Sequence, residues 1–118
     1  MKSSISLSGP LKVDLSVYRG DSGRFRITVT DIAGNPVDVS AATWDADIRL
    51  KADDADTIGN FVIVPDATDT SSIDVELPAD LSGTLPQNCT YDVEMRMGTD
   101  VKTLVCGNIT VTQDVSRP

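Results

Sequence analysis

The chain has 118 residues, 40% of them apolar and 24% charged, which is enough for one domain with its own core and too apolar for a disordered tail at a net charge of -8. Eighteen acidic residues stand against ten basic ones, a balance that excludes the basic footprint nucleic-acid binders use to neutralise phosphates. No apolar run approaches the roughly 20 residues of a membrane span, and the opening sixteen residues lack the unbroken apolar stretch of a secretory signal, so synthesis in the cytoplasm without membrane association is expected.

Residues 1–10 are polar and unpatterned and read as an N-terminal arm. Leu11, Val13, Leu15 and Val17 then alternate with Lys12, Asp14 and Ser16, the period of a half-buried strand. A turn over 19–23 leads to Phe25, Ile27 and Val29, alternating with Arg24, Arg26, Thr28 and Thr30. After a second turn at Ala33, Gly34, Asn35 and Pro36, Trp44, Ala46, Ile48 and Leu50 alternate with Asp45, Asp47, Arg49 and Lys51. Ile58, Gly59 and Asn60 signal another turn before the apolar run 61–64, and residues 65–69 a further one before Ile73, Val75 and Leu77. The stretch 78–83 reads as one turn of helix. Cys89, Tyr91, Val93, Met95 and Met97 face one side of a long strand, closed by a turn over 97–100.

The last run slips phase, with Leu104 and Cys106 in one register and Ile109 and Val111 in the other, which predicts a β-bulge at Gly107 and Asn108. Residues 113–118 read as a C-terminal tail. About seven short strands separated by turn residues predict an all-β fold, an immunoglobulin-like β-sandwich of antiparallel strands over residues 11–112.

The order of motifs carries a resemblance. The string from Val17 through Arg19, Gly20, Asp21, Ser22 and Gly23 to Val29, the following Asp31, Gly34, Pro36, Val37 and Asp38, and the later Leu77, Pro78, Ala79 and Asp80 ahead of Tyr91, Asp92, Val93 and Glu94 resemble the N-terminal immunoglobulin-like domain of phage baseplate upper proteins. The resemblance runs over about 11–111 and rests mostly on turn chemistry. It implies a virion structural protein, made in the host cytoplasm, that docks on phage capsid or tail proteins and forms a homo-oligomer around a local symmetry axis, with a trimer as the first expectation. Baseplate upper proteins continue into further parts whereas this sequence ends at Pro118, so the expectation narrows to capsid decoration or a minor tail or baseplate component. Strand addition at sheet edges is the natural assembly mode, and an acidic face meeting a basic partner a second contact that salt would weaken.

Residues that might carry chemistry give no catalytic set. The chain has no His, which removes Ser-His-Asp and Cys-His catalysis and His-based zinc sites; no enzyme, cofactor, metal or catalytic residue is expected. Asp45 and Asp47 share one exposed strand face and read as a solvated pair. The loop of Asp53, Asp54 and Asp56 has Ile58 where a calcium loop needs an oxygen ligand and no closing Glu. Arg19, Gly20 and Asp21 spell an adhesion tripeptide that the turn already explains. Asn88 and Asn108 head glycosylation sequons, silent without secretion. Cys89 is in phase with the core, and Cys106 is a possible disulfide partner if the α-carbons lie within about 7 Å. A glycan-binding module is the alternative function; of Tyr18, Phe25, Trp44, Phe61 and Tyr91, only Tyr18 is out of the apolar phase and available to a sugar.

Overall fold

The structure, a computed structural model, describes residues 2–6, as backbone, and residues 10–113. Among them the chain forms β1 (Lys2–Ser6), β2 (Leu11–Lys12), β3 (Leu15–Tyr18), β4 (Gly23–Thr30), β5 (Thr43–Arg49), β6 (Gly59–Asn60), β7 (Val62–Pro65), β8 (Ser72–Leu77), a single helical turn α1 (Ala79–Ser82), β9 (Asn88–Met97) and β10 (Asp100–Thr112). One sheet has the order β1-β4-β8-β7 and the other β2-β10-β9-β5-β6, with β3 following β2 along the same flank of β10. The result is the all-β sandwich that the alternation predicts. No helix among the described residues is long and apolar enough to cross a membrane.

Period-2 patterning decides which face each strand buries. On β4 the residues Phe25, Ile27 and Val29 point inward, opposite Val75 and Ile73 of β8. On the facing sheet, Ala46 and Ile48 of β5 lie opposite Val93 and Tyr91 of β9. Burying an Ile or Val side chain stabilises by roughly 1.5–3 kcal/mol, and the two inner faces together supply the core. Phe25 from one sheet, Tyr91 from the other and Phe61 from the segment between β6 and β7 meet edge to face, with ring centroids 5.3 to 6.3 Å apart, and tie the layers together.

Several expectations shift in position. The arm expected over 1–10 contains β1, which runs parallel to β4 from Lys2 opposite Arg26 to Ser6 opposite Thr30; its sequence has no alternating apolar set to reveal it. Of the expected tail 113–118, only Gln113 lies within the described residues. Gly59 and Asn60, read as part of a turn, pair with Ile48 and Asp47 as β6. Leu50 is 49% exposed because β5 ends at Arg49. Pairing is also mixed: β2 and β3 run parallel to β10, which alternation alone cannot foresee.

The β-bulge exists but not at Gly107 and Asn108. The register between β9 and β10 shifts between Thr103 and Val105, so Leu104 is the extra residue and both Leu104 and Val105 are buried. From there Val105, Gly107, Ile109 and Val111 face inward and Cys106 outward. Gly107 is in register, opposite Tyr91, and has a different task. The Val13 carbonyl crosses directly over it to accept the Tyr91 hydroxyl hydrogen bond at 2.6 Å, and a Cβ at Gly107 would stand 2.0 Å from that oxygen. Because Val13 turns its carbonyl inward, the Asn108 N–H that it would otherwise receive goes to Asp14 Oδ1 at 3.0 Å. This exchange is why the first apolar run splits into β2 and β3.

Gly107→Ala forces backbone against backbone, so it is expected to lower the unfolding free energy in urea by about 1–3 kcal/mol, the usual range for overpacking. A variant as stable as the parent would show that the two strands are not in such close contact.

Candidate functional site

The outer faces of the two sheets, the free strand edges and the cleft between the sheets are where the molecule can meet a partner. On the six-stranded sheet, the outward residues of neighbouring strands form rows. One row runs Lys12, Cys106, Asp92, Asp47 and Asn60, and the next Thr103, Glu94 and Asp45. Asp47 and Asp92 are directly opposite each other, as are Asp45 and Glu94, an arrangement that like charges disfavour. Arginines hold it together: Arg96 Nε donates to Asp45 Oδ2 at 3.1 Å and its NH2 to Glu94 Oε1 at 2.8 Å. Arg49 approaches Asp47 Oδ2 at 3.4 Å, and Asn60 Nδ2 donates to Asp47 Oδ1 at 2.9 Å. Asp92 is half-buried at the centre of this field. Burial pushes its carboxyl pKa up, Arg49 opposes the shift, and Asp47, Glu94 and Asp45 add to it.

On the four-stranded sheet, outward charges of β4, β8 and the turn after β7 engage one another. Arg26 bridges Asp66 and Asp74, with NH1 3.2 Å from Asp74 Oδ1. Asp66 also accepts the N–H of Asp69 at 3.0 Å and both the N–H and hydroxyl of Thr68. The Asp69 N–H, then Arg26 and Thr68, hold the Asp66 carboxyl well below the usual carboxylate range. Asp69 is likewise lowered, first by the Ser71 hydroxyl and then by Ser72.

Residues singled out in the sequence fall as follows. The Arg19, Gly20, Asp21 turn is locked from beneath: Arg19 NH1 donates to the Leu85 carbonyl at 2.7 Å, the Gly20 N–H to Ser82 Oγ at 3.0 Å, and Ser82 Oγ to the Asp21 carbonyl at 2.6 Å. Gly20 has φ +89°, which explains the glycine by conformation. The Asp54 carboxylate accepts the Lys51 N–H at 3.1 Å, closing its own turn, and among the described residues no three acidic or Cys side chains converge as metal ligands. Cys89 faces the core opposite Ile109, whereas Cys106, moved outward by the Leu104 bulge, lies opposite Asp92. Both are free thiols on opposite sides of one sheet, and burial raises the Cys89 pKa.

Sequence reading missed the cleft and the condition of the edges. An open cleft of about 320 Å³ lies between the sheets beside β3, floored by Leu15, Val17, Phe25, Phe61 and Leu77 and rimmed by Tyr18, Ser22 and Arg24. Two of the sheet flanks, β7 and β3, differ. On β7 the Asp66 N–H reaches Ser72 O, which by alternation turns Ile63 and Pro65 toward the free side, and Pro65 has no N–H to offer. Phe61 N–H is already given to Ala46 O of β5. That edge is blunted. On the other flank, Val13 N–H reaches Cys106 O and Arg19 N–H reaches Thr112 O, so odd-numbered residues bind β10 and the N–H groups of Ser16 and Tyr18 point away from it. That edge is open. Tyr18, the aromatic expected outside the apolar phase, is 56% exposed on it.

No protein-family model matches this chain, and no curated protein matches it.

For Asp92 the sign of the linkage is set by its raised folded-state pKa: the group favours the fold while protonated, below the unfolded pKa, and that contribution is lost as pH rises through the folded value. Asp92→Asn is therefore expected to unfold at higher urea than the parent at pH 7, with the difference gone near pH 3. Lower stability of the variant at pH 7 would contradict this.

Proposed function

We propose that this chain is a non-enzymatic structural component of a phage virion that docks on a capsid or tail surface through protein-protein contacts. One observation carries the reading: a packed two-sheet core whose outward acids and arginines are engaged with one another, next to a strand edge, β3, where the Ser16 N–H and carbonyl and the Tyr18 N–H point away from β10. Such an arrangement offers surface and backbone to a partner and no nucleophile paired with a base. The complete absence of His supports the same reading. So does the order of the turn motifs from Arg19, Gly20 and Asp21 through Gly34, Pro36 and Asp38 to Pro78 and Asp80, which resembles that of the baseplate upper domains.

Open edges are liabilities in a free monomer, because unpaired N–H and C=O groups template pairing with another chain. A component that exists to assemble can keep one. The reading includes a homo-oligomer, with capsid or tail proteins as heterologous partners.

Mass spectrometry of purified particles, with copy number per particle, tests the proposal. The chain is expected in the particle at a fixed stoichiometry, many copies for head or tube decoration and few for a tip component. Its absence from intact particles would overturn the reading.

A further inference from the structure

We propose that β3 and the charge-free end of the six-stranded sheet beside it form the contact through which a second copy of this chain docks. This deepens the docking reading above by naming one partner and the surface it uses.

Charge restricts where two copies can meet. Two copies meet with net charges of -8 each, so a contact between like surfaces must avoid carboxylates facing carboxylates. Most of the molecule fails that condition. The middle of the outer face of the six-stranded sheet carries Asp45, Asp47, Asp92 and Glu94, and the four-stranded sheet carries Asp66, Asp74 and Glu76 beside Arg24 and Arg26. Among the described residues, one block of adjacent strands meets it. Where β3, β10 and β9 lie side by side, Ser16 is opposite Thr110, Thr110 opposite Asn88, and Tyr18 opposite Thr112. These five residues are exposed, and none is ionised at neutral pH. Arg19, at the end of this block, has its guanidinium turned away to the Leu85 carbonyl.

Composition and geometry agree. The buried centres of protein-protein contacts are depleted in Lys, Asp and Glu and enriched in Tyr, and Tyr18 stands 56% exposed at the corner of the block. Of the long sheet flanks whose side chains are described, β7 is blunted by Pro65 and by the Phe61 N–H given to Ala46, while β3 directs the Ser16 and Tyr18 N–H groups outward. A two-fold contact is isologous, so the same patch serves both copies and an antiparallel β3-to-β3 pairing satisfies the Ser16 groups of each. The half-buried Leu15 and Val17, which floor the adjacent cleft, lie directly under such a pairing.

The electrostatics give the contact a signature. A basic partner on the acidic rows would be released by salt; two copies meeting through an uncharged patch are held apart only by their net charges, so salt strengthens their association. Sedimentation of the purified full chain, from micromolar to millimolar concentration at low and high salt, reads this. Association is expected to rise with concentration and to be tighter at high salt. Ser16→Asp, which meets its own copy across the two-fold, and, independently, Tyr18→Asp, two residues along the same paired strand, add negative charge to both sides of the contact and are expected to weaken it about tenfold or more, with the folded state verified by circular dichroism. Asp45→Asn, in the acidic rows, is expected to leave it within about twofold. A chain that stays monomeric at every concentration, association that falls with salt, or an Asp45→Asn effect as large as that of Ser16→Asp would each overturn the proposal. Because the measurement uses the isolated protein, a failure here is separable from absence of the chain from particles.

Discussion

The position of the β3 edge depends on one crossing, where the Val13 carbonyl passes over Gly107 to the Tyr91 hydroxyl. Tyr91 comes from the centre of β9 and packs its ring against Phe25 and Phe61, so the hydrogen bond ties the incoming strand to the aromatic contact that joins the layers. A buried carbonyl without a partner costs about 1–3 kcal/mol; here the Tyr91 hydroxyl supplies the partner and Gly107 the room. The Asn108 N–H released by this arrangement is taken by Asp14. Below the crossing the ladder resumes with β3 on β10, and from its parity follow the open Ser16 groups, the half-buried Leu15 and Val17, and the cleft beside them.

Charge is organised by the same strand pairing. Placing β5 beside β9 brings Asp47 against Asp92 and Asp45 against Glu94, and Arg49 and Arg96 are set within those rows to limit the repulsion. On the other sheet Arg26 is enclosed by Asp66, Asp69 and Asp74. Most cations of both faces are thereby engaged locally, and the uncharged Ser, Thr and Asn residues gather where β3, β10 and β9 lie side by side. A chain with a surplus of eight negative charges thus keeps one exposed block without carboxylates among its described strands.

Much of this was legible in the sequence, for a definite reason. Where a strand buries one face, as with Phe25, Ile27 and Val29 or Tyr91, Val93 and Met95, period 2 is written in the residues. Tyr18 as the one exposed aromatic candidate, the helical turn before β9 and the phase slip in the last strand were readable on the same grounds. Strands without an alternating apolar set leave no such mark, and neither does strand direction: β1, β6 and the parallel placement of β2 and β3 were not foreseeable. The bulge was misplaced because Cys106 counts as apolar in a pattern, yet it faces outward beside Asp92, and the new phase begins at Val105. Gly107 carried a signal that was assigned to the wrong cause, since a glycine required for close approach and one required at a bulge look alike in a sequence. The charge-free patch was invisible because β3 lies far along the chain from the β9–β10 hairpin that completes it.

Amide hydrogen exchange of the dilute, monomeric protein tests most directly whether β3 is an edge strand bound by alternate residues. The ladder requires slow exchange at Val13, Val17 and Arg19, whose N–H groups face β10, and fast exchange at Ser16 between them. Uniform protection across 13–19, or uniform loss of it, would contradict the account.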